Sequence, residues 1–298
     1  MAHIPVLLEE VLQFLKPEAG TYFIDATIDG GGHAREILKR MSMKAILVGI
    51  DQDTAMITEL EKEWKGERRL KLKVGNFKNL EAVAKEFSDR YNGILFDLGM
   101  SSLQLETSGR GFSFQKDEPL LMTYESRPSP DQLTAAVIVN TWSEREIEKI
   151  LKEFGEERYA RRIAKAIIKA RKKSRIISTR QLVKVIEEST PRGYHRQSAG
   201  RRIHPATCTF QALRIAVNDE LAALETGIQG AWKILREEGR LVVIAFHSLE
   251  DRIVKHFFQD MQKEGGEILT KKPVTPSAQE IRSNPRARSA KLRAITKK

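Results

Sequence analysis

Four short apolar runs, at 22–26, 45–50, 70–74 and 93–96, alternate with helical patterns at 33–40, 53–64 and 79–87. Each run is brief, β-rich and closed by Asp, Asn or Gly, the mark of a buried strand. Repeated β-α-β units of this kind fold as a parallel sheet with helices on both faces. A fifth run lies at 241–246, followed by a helix from about Glu250, and 267–272 and 290–296 read as two further strands at the sheet edge. The gap from Asp97 to Arg240 is far longer than an ordinary crossover of about a dozen residues. It therefore holds an inserted helical domain, placed at 105–208, with 1–104 and 209–298 forming the sheet domain. Within the insertion 144–154 is helical, with Ser143 and Glu146 spaced as a capping box. Residues 156–173 carry an apolar stripe (Ala160, Ile163, Ala164, Ile167, Ile168) opposite Arg158, Arg161, Arg162, Lys165, Lys169 and Arg171. Further helices are expected at 180–188 and from near Thr209. The predicted class is α/β, Rossmann-like, mostly parallel, with a small helical insertion.

The first strand runs into Asp25-Ala26-Thr27-Ile28-Asp29-Gly30-Gly31-Gly32-His33. Glycines there let the backbone turn tightly and approach a ligand at the start of the next helix. Roughly twenty residues on, the second strand ends in Gly49-Ile50-Asp51, where a carboxylate can accept from both hydroxyls of a ribose. Together these predict a nucleoside-containing cofactor at the carboxyl edge of the sheet. The loop lacks the G-x-G-x-x-G of a dinucleotide site and the Gly-Lys-Ser/Thr of a P-loop, which argues against a nicotinamide-dependent dehydrogenase. A sulfonium cofactor has no phosphates to cradle and needs only a loose glycine cluster.

Blocks along nearly the whole chain resemble the RsmH (MraW) family of bacterial small-subunit (16S) rRNA cytosine-N4 methyltransferases. They are His3-Ile4-Pro5-Val6-Leu7-Leu8, Asp25 to His33, Gly49-Ile50-Asp51, Asp97-Leu98-Gly99 with Ser101-Ser102, and Arg110-Gly111-Phe112-Ser113-Phe114. Gly155-Glu156-Glu157-Arg158, Phe210 to Ile215, Phe246 to Lys255 and Asn284 to Arg293 follow in order. The resemblance implies a class I methyltransferase fold that uses S-adenosyl-L-methionine, with Gly31, Gly32, His33, Asp51, Phe77, Asp97 and Gln104 at the cofactor. It also implies methyl transfer to the N4 amine of a cytosine in small-subunit rRNA. Asp97 is the candidate catalytic acceptor for the amine hydrogens, and His247 a candidate facing the target base, which must be flipped or single-stranded. Ser248 with Asp251 reads as a capping box at the following helix. The chain departs from the family pattern at Asp29, where Gly is usual, at Leu121 and Thr123, which replace Asp and Arg, and at Cys208, which replaces Arg. These changes motivate a second reading, a catalytically impaired rRNA-binding ribosome-assembly factor of the same fold.

Net charge is +11, which favours a polyanionic partner. Residues 189–218 hold five arginines, two histidines and no acid, and 271–298 hold nine Lys/Arg against one acid. Arg196, Arg201, Arg202, Arg286 and Arg288 are the candidate RNA contacts, with small-subunit rRNA or the assembling small subunit as partner. The single cysteine excludes internal disulfides and a CxxC zinc site, and no histidine has metal-ligand spacing, so no metal is expected. With no signal, transit or membrane-spanning pattern, the expectation is a cytoplasmic protein with no membrane contact; a homodimer is left open.

Overall fold

The computed structural model describes residues 4–100, 108–125, 129, 131–191, 194, 196–198 and 201–298, the segments 196–198 and 201–203 by backbone alone. Two compact units emerge: a sheet unit of 1–101 with 221–298, and a helical unit of 102–220. The helical unit extends further at its C-terminal end than the expected 105–208, because the helix expected near Thr209 belongs to it rather than to the sheet.

In chain order the strands are β1 (Tyr22–Asp25), β2 (Ile46–Asp51), β3 (Leu70–Val74), β4 (Tyr91–Asp97), β5 (Arg196–Ser198), β6 (Arg201–Ile203), β7 (Leu235–Ala245), β8 (Gly266–Ile268) and β9 (Lys291–Lys297). The helices are α1 (Leu8–Leu15), α2 (Gly32–Arg40), α3 (Thr54–Glu63), α4 (Leu80–Lys85), α5 (Ala135–Thr141), α6 (Glu144–Glu153), α7 (Ala160–Arg171), α8 (Thr179–Ser189), α9 (Ala206–Asn218), α10 (Glu220–Ile234), α11 (Ser248–Lys263) and α12 (Ala278–Ser283).

Seven strands form one sheet in the order β3-β2-β1-β4-β7-β9-β8. The first five pair in parallel, and β9 runs antiparallel to both β7 and β8. Strand order reverses between β1 and β4, which opens a crevice at their carboxyl ends. Successive side chains along a strand point to opposite faces. Phe23, Leu47, Leu95 and Val242 accordingly pack with Leu12, Ile37 and Ile57 on one face, and Ile24, Val48, Phe96 and Val243 pack with Leu80, Leu224, Ile228 and Phe258 on the other. With helices on both faces the inner strands β1, β2 and β4 are largely buried, which is why they read as nearly unbroken apolar runs, whereas β3 at the edge alternates Leu with Lys and is only partly buried.

The two C-terminal strands extend the sheet at one edge as expected, with β8 outermost and β9 between β7 and β8, where Leu292, Ala294 and Ile295 are fully buried. The charges of β9 are used internally. Arg293 Nε donates to Asp251 Oδ1 at 2.6 Å and Lys291 Nζ to Asp251 Oδ2 at 3.2 Å. Lys297 Nζ donates to the carbonyls of Trp232 and Leu235, where α10 ends.

In the helical unit, the Ser143–Glu146 capping box is present, as is a second at Ser178 and Gln181. Helix α7 buries Ala160, Ile163, Ala164 and Ile167 as its stripe predicts and exposes Arg161, Arg162, Lys165 and Lys169. Arg171 instead donates to the carbonyls of Val139 and Trp142. Arg214, counted in the basic segment, is committed to a two-pronged pair with Glu220 at 2.8 Å in each arm. No helix among the described residues is long and apolar enough to cross a membrane.

Candidate active site

The glycine loop between β1 and α2 is tied to the end of β2. Ile28 N–H donates to Ile50 O at 2.9 Å, Asp29 N–H to Asp51 Oδ2 at 3.1 Å, and Gly31 N–H to Ile28 O at 2.8 Å. Gly31 opens α2 with φ of +71°, and a Cβ there would meet the Trp64 ring at 2.8 Å, so both conformation and space demand glycine. Gly49 has a different role: a Cβ on it would come within 2.2 Å of Ile28 Cδ1, so its bareness lets the loop settle against β2. Asp29 stands where the resembling family has Gly, and its φ is +44°. The backbone therefore keeps the glycine-like conformation, which Asp tolerates better than most residues.

Asp51 sits at the end of β2, its oxygens accepting from the N–H groups of Asp29 and Asp53 at 3.1 and 2.8 Å. Each carboxylate oxygen has a further lone pair, so the group can still accept from two hydroxyls. Burial pushes its pKa up to about 7, the two backbone donors pull it down, and the nearby Asp29 charge adds to the rise. Asp25, at the end of β1, is fully buried and also pushed up to about 7 by burial, against the opposing charge of His33 and a bond from Thr27 N–H.

Asp97 closes β4, next to β1, where its backbone N–H donates to Thr27 Oγ1 at 2.7 Å. Its Oδ2 lies 3.3 Å from His33 Nδ1, while its Oδ1 is buried and has no hydrogen-bond partner among the described residues. The other ring nitrogen of His33, Nε2, lies 3.0 Å from the carbonyl oxygen of Val6. Burial alone would lower the His33 pKa, but the bond and charge of Asp97, with Asp25 behind, raise it overall. Phe77 follows β3; its ring packs edge-on against Phe96 at 5.6 Å between centroids and lies against Gly227, so part of it belongs to the core.

His247 follows β7 as the N-cap of α11. Its Nδ1 accepts from Glu250 N–H at 3.4 Å, and Glu250 Oε2 accepts in return from His247 N–H at 3.2 Å. The capping box is thus His247 with Glu250, one residue earlier than the expected Ser248 with Asp251. Asp251 is unavailable because Arg293 and Lys291 hold it; burial opposes ionisation there, but the two cations outweigh it and hold its carboxyl below the usual range. His247 Nε2 is buried and lacks a well-aligned partner, although Glu250 Oε1 is 3.2 Å away.

Sequence reasoning brought Gly31, Gly32, His33, Asp51 and Asp97 to one edge, and the fold gathers them there. Gln104 lies outside the described residues, as do the side chains of Arg196, Arg201 and Arg202. Arg286 and Arg288 are exposed between α12 and β9. The reading missed Asp25, whose burial at a strand end the loop motif could have signalled, and Val6, which only the tertiary fold brings to His33.

A sheet of this strand order, with a glycine loop after β1 and acids closing β2 and β4, defines a class I methyltransferase fold. The family model described as the MraW methylase family matches residues 1–298, and the chain belongs to that family. Among curated relatives, Ribosomal RNA small subunit methyltransferase H of Persephonella marina is 45% identical over 98% of this chain and 97% of its own. The protein of that name from Geobacter sulfurreducens is 46% identical over 99% of both chains. Among solved structures, Aeropyrum pernix fibrillarin with natively bound S-adenosyl-L-methionine aligns over 97% of this chain and 72% of its own. Its identity is 9% and its TM-score 0.43, a distance at which nothing about function follows.

Proposed function

We propose that the protein transfers a methyl group from S-adenosyl-L-methionine to the N4 amine of a cytosine in small-subunit rRNA, acting in the cytoplasm. The observation that carries this reading is Asp97 Oδ1, a buried carboxylate oxygen at the reversal point of the sheet that has no partner among the described residues. An orphaned acceptor in such a crevice is costly unless a donor arrives to meet it. The exocyclic amine of cytosine is such a donor.

The residues present fit the cofactor. Asp51 keeps lone pairs for the ribose hydroxyls, Phe77 offers a ring beside the adenine position, and Gly31 and Gly32 shape the loop around the methionine end. Gln104 joins them by family resemblance. When bound, S-adenosyl-L-methionine supplies an electrophilic methyl group on sulfur. Cytosine's N4 lone pair is delocalised into its ring, so the protein must hold the amine in line and offset the positive charge that develops on it. Asp97 Oδ1 accepts from the amine, and its negative charge opposes that developing charge. The amine then sheds one proton, with Asp97 or water as acceptor. His247, at the neighbouring strand end, flanks the position of the base. Arg196, Arg201, Arg202, Arg286 and Arg288 are assigned to phosphates, which position the RNA without reading sequence.

Incubating the full-length protein and the cofactor with small subunits from cells lacking this activity tests the reading. One methyl group per subunit, mapped to a cytidine N4, is the expected result; no transfer, or transfer elsewhere, would reject it. A second reading, the rRNA-binding assembly factor without turnover, is favoured by Asp29, whose carboxylate stands near Asp51. Calorimetry with millimolar cofactor separates the two, because an absence of binding heat would select the assembly factor.

A further inference from the structure

We infer that His33 is a positioning residue for Asp97 rather than a cofactor contact: it carries a proton on both ring nitrogens and holds Oδ2, so that Oδ1 alone is left to meet the amine. This rests on the proposed role of Asp97 and extends it to a residue whose family resemblance places it at the cofactor itself. The geometry leaves the ring little freedom. Its side chain is only 4% exposed. The Val6 carbonyl, 3.0 Å from Nε2, can only accept, so Nε2 must bear hydrogen. Nδ1 faces a carboxylate oxygen at 3.3 Å, and a carboxylate likewise only accepts. A ring placed between two acceptors is satisfied in both bonds as imidazolium.

The surroundings agree. The charged groups that bear on the ring are Asp97 and Asp25, both negative when ionised, and their influence raises the affinity of His33 for its second proton despite burial. The two sides of the carboxylate thus have different fates. Oδ2 is pinned from the α2 side, the backbone N–H of Asp97 is pinned by Thr27 Oγ1 at 2.7 Å, and Oδ1 is left without a partner among the described residues. The carboxyl plane is therefore fixed before any substrate arrives, which is how preorganised acceptors lower a barrier. The strap that carries Val6 is itself anchored, since Leu7 N–H donates to Glu280 Oε1 at 2.7 Å.

Two measurements on the full-length protein test this. Nitrogen-15 NMR of ring-labelled histidine at pH 7, with His33 assigned by loss of its signals in His33→Asn, should show both ring nitrogens protonated. A bare nitrogen at His33 would overturn the inference, whatever the variants do. The second is single-turnover transfer at saturating cofactor. His33→Ala should lose about 100-fold in rate, with cofactor affinity within about threefold of the parent. His33→Asn, whose amide nitrogen reaches the place of Nδ1, should recover at least tenfold of that loss. A rate unchanged at saturation, or a loss seen only as weaker cofactor binding, would return His33 to the cofactor site and overturn the inference. A parent protein with no turnover at all would instead defeat the proposed function, and the NMR result would still decide the state of His33.

Discussion

Asp29 shows how much one side chain can tune the site. Its backbone already holds the left-handed turn at φ of +44°, and its N–H already serves Asp51, so glycine would keep both. What Asp29→Gly removes is a negative charge that helps push the Asp51 carboxyl up to about 7. The ribose hydroxyls need Asp51 as carboxylate, so cofactor affinity should weaken about tenfold between pH 8 and pH 6. In Asp29→Gly that acid limb should move to lower pH, so affinity should rise by up to about twofold at pH 7 and by more at pH 6; calorimetry across pH checks both, and an unmoved limb would clear Asp29 of influence. The ligand-free fold should respond in the opposite sense. Asp25 and Asp51 hold their protons more tightly folded, at about 7, than unfolded, at about 4, and His33 is raised as well. Their stabilisation is present at low pH and lost as pH rises through the folded values. Between pH 8 and 5.5 the two carboxyls should each add about 2 kcal/mol, visible as a higher melting temperature at pH 5.5 without cofactor.

At the scale of elements, β9 is the test case. Its sequence, Lys291 to Lys297, alternates charge and apolar residues as an edge strand would, yet both its neighbours are strands. The reason lies in α11: Asp251 takes up Arg293 and Lys291, which lets a cationic strand be buried. Asp251→Ala leaves Arg293 inside the fold without its counter-charge and should cost about 3 kcal/mol; chemical denaturation measures it, and a loss below about 1 kcal/mol would mean the pair is incidental. The same pairing explains the misplaced helix cap. Ser is the commoner N-cap, but Asp251 was already engaged, and His247 with Glu250 took the position one residue earlier. The strands of the sheet core and the Gly31, Asp51 and Asp97 constellation were legible because buried parallel strands and ligand loops impose local patterns. The contact of Val6, His33 and Asp97 was not, since it depends on β1 lying beside β4 and on a strap crossing the start of α2. Helix α10 was also missed: Gly227 and Gly230 lower its helical signal, although Gly227 is what lets Phe77 approach.

For the whole molecule, the +11 charge overstates what is free to meet RNA. Arg171, Arg214, Lys291, Arg293 and Lys297 are spent on carbonyls and carboxylates within their own units. Exposed cations include Arg286, Arg288 and the outer face of α7. Arg286→Gln with Arg288→Gln should weaken RNA binding and reduce the salt slope by about 1 to 2; anisotropy titrations from low to high salt read this, and an unchanged slope would remove both from the interface.

The most direct test of the account is methyl transfer by Asp97→Asn, followed by mass analysis of cytidines from small-subunit rRNA. The prediction is N4-methylated cytidine with the parent protein and at least a 1,000-fold slower appearance with the variant, whose cofactor binding and melting temperature stay measurable. Transfer by the variant at the parent rate would contradict it.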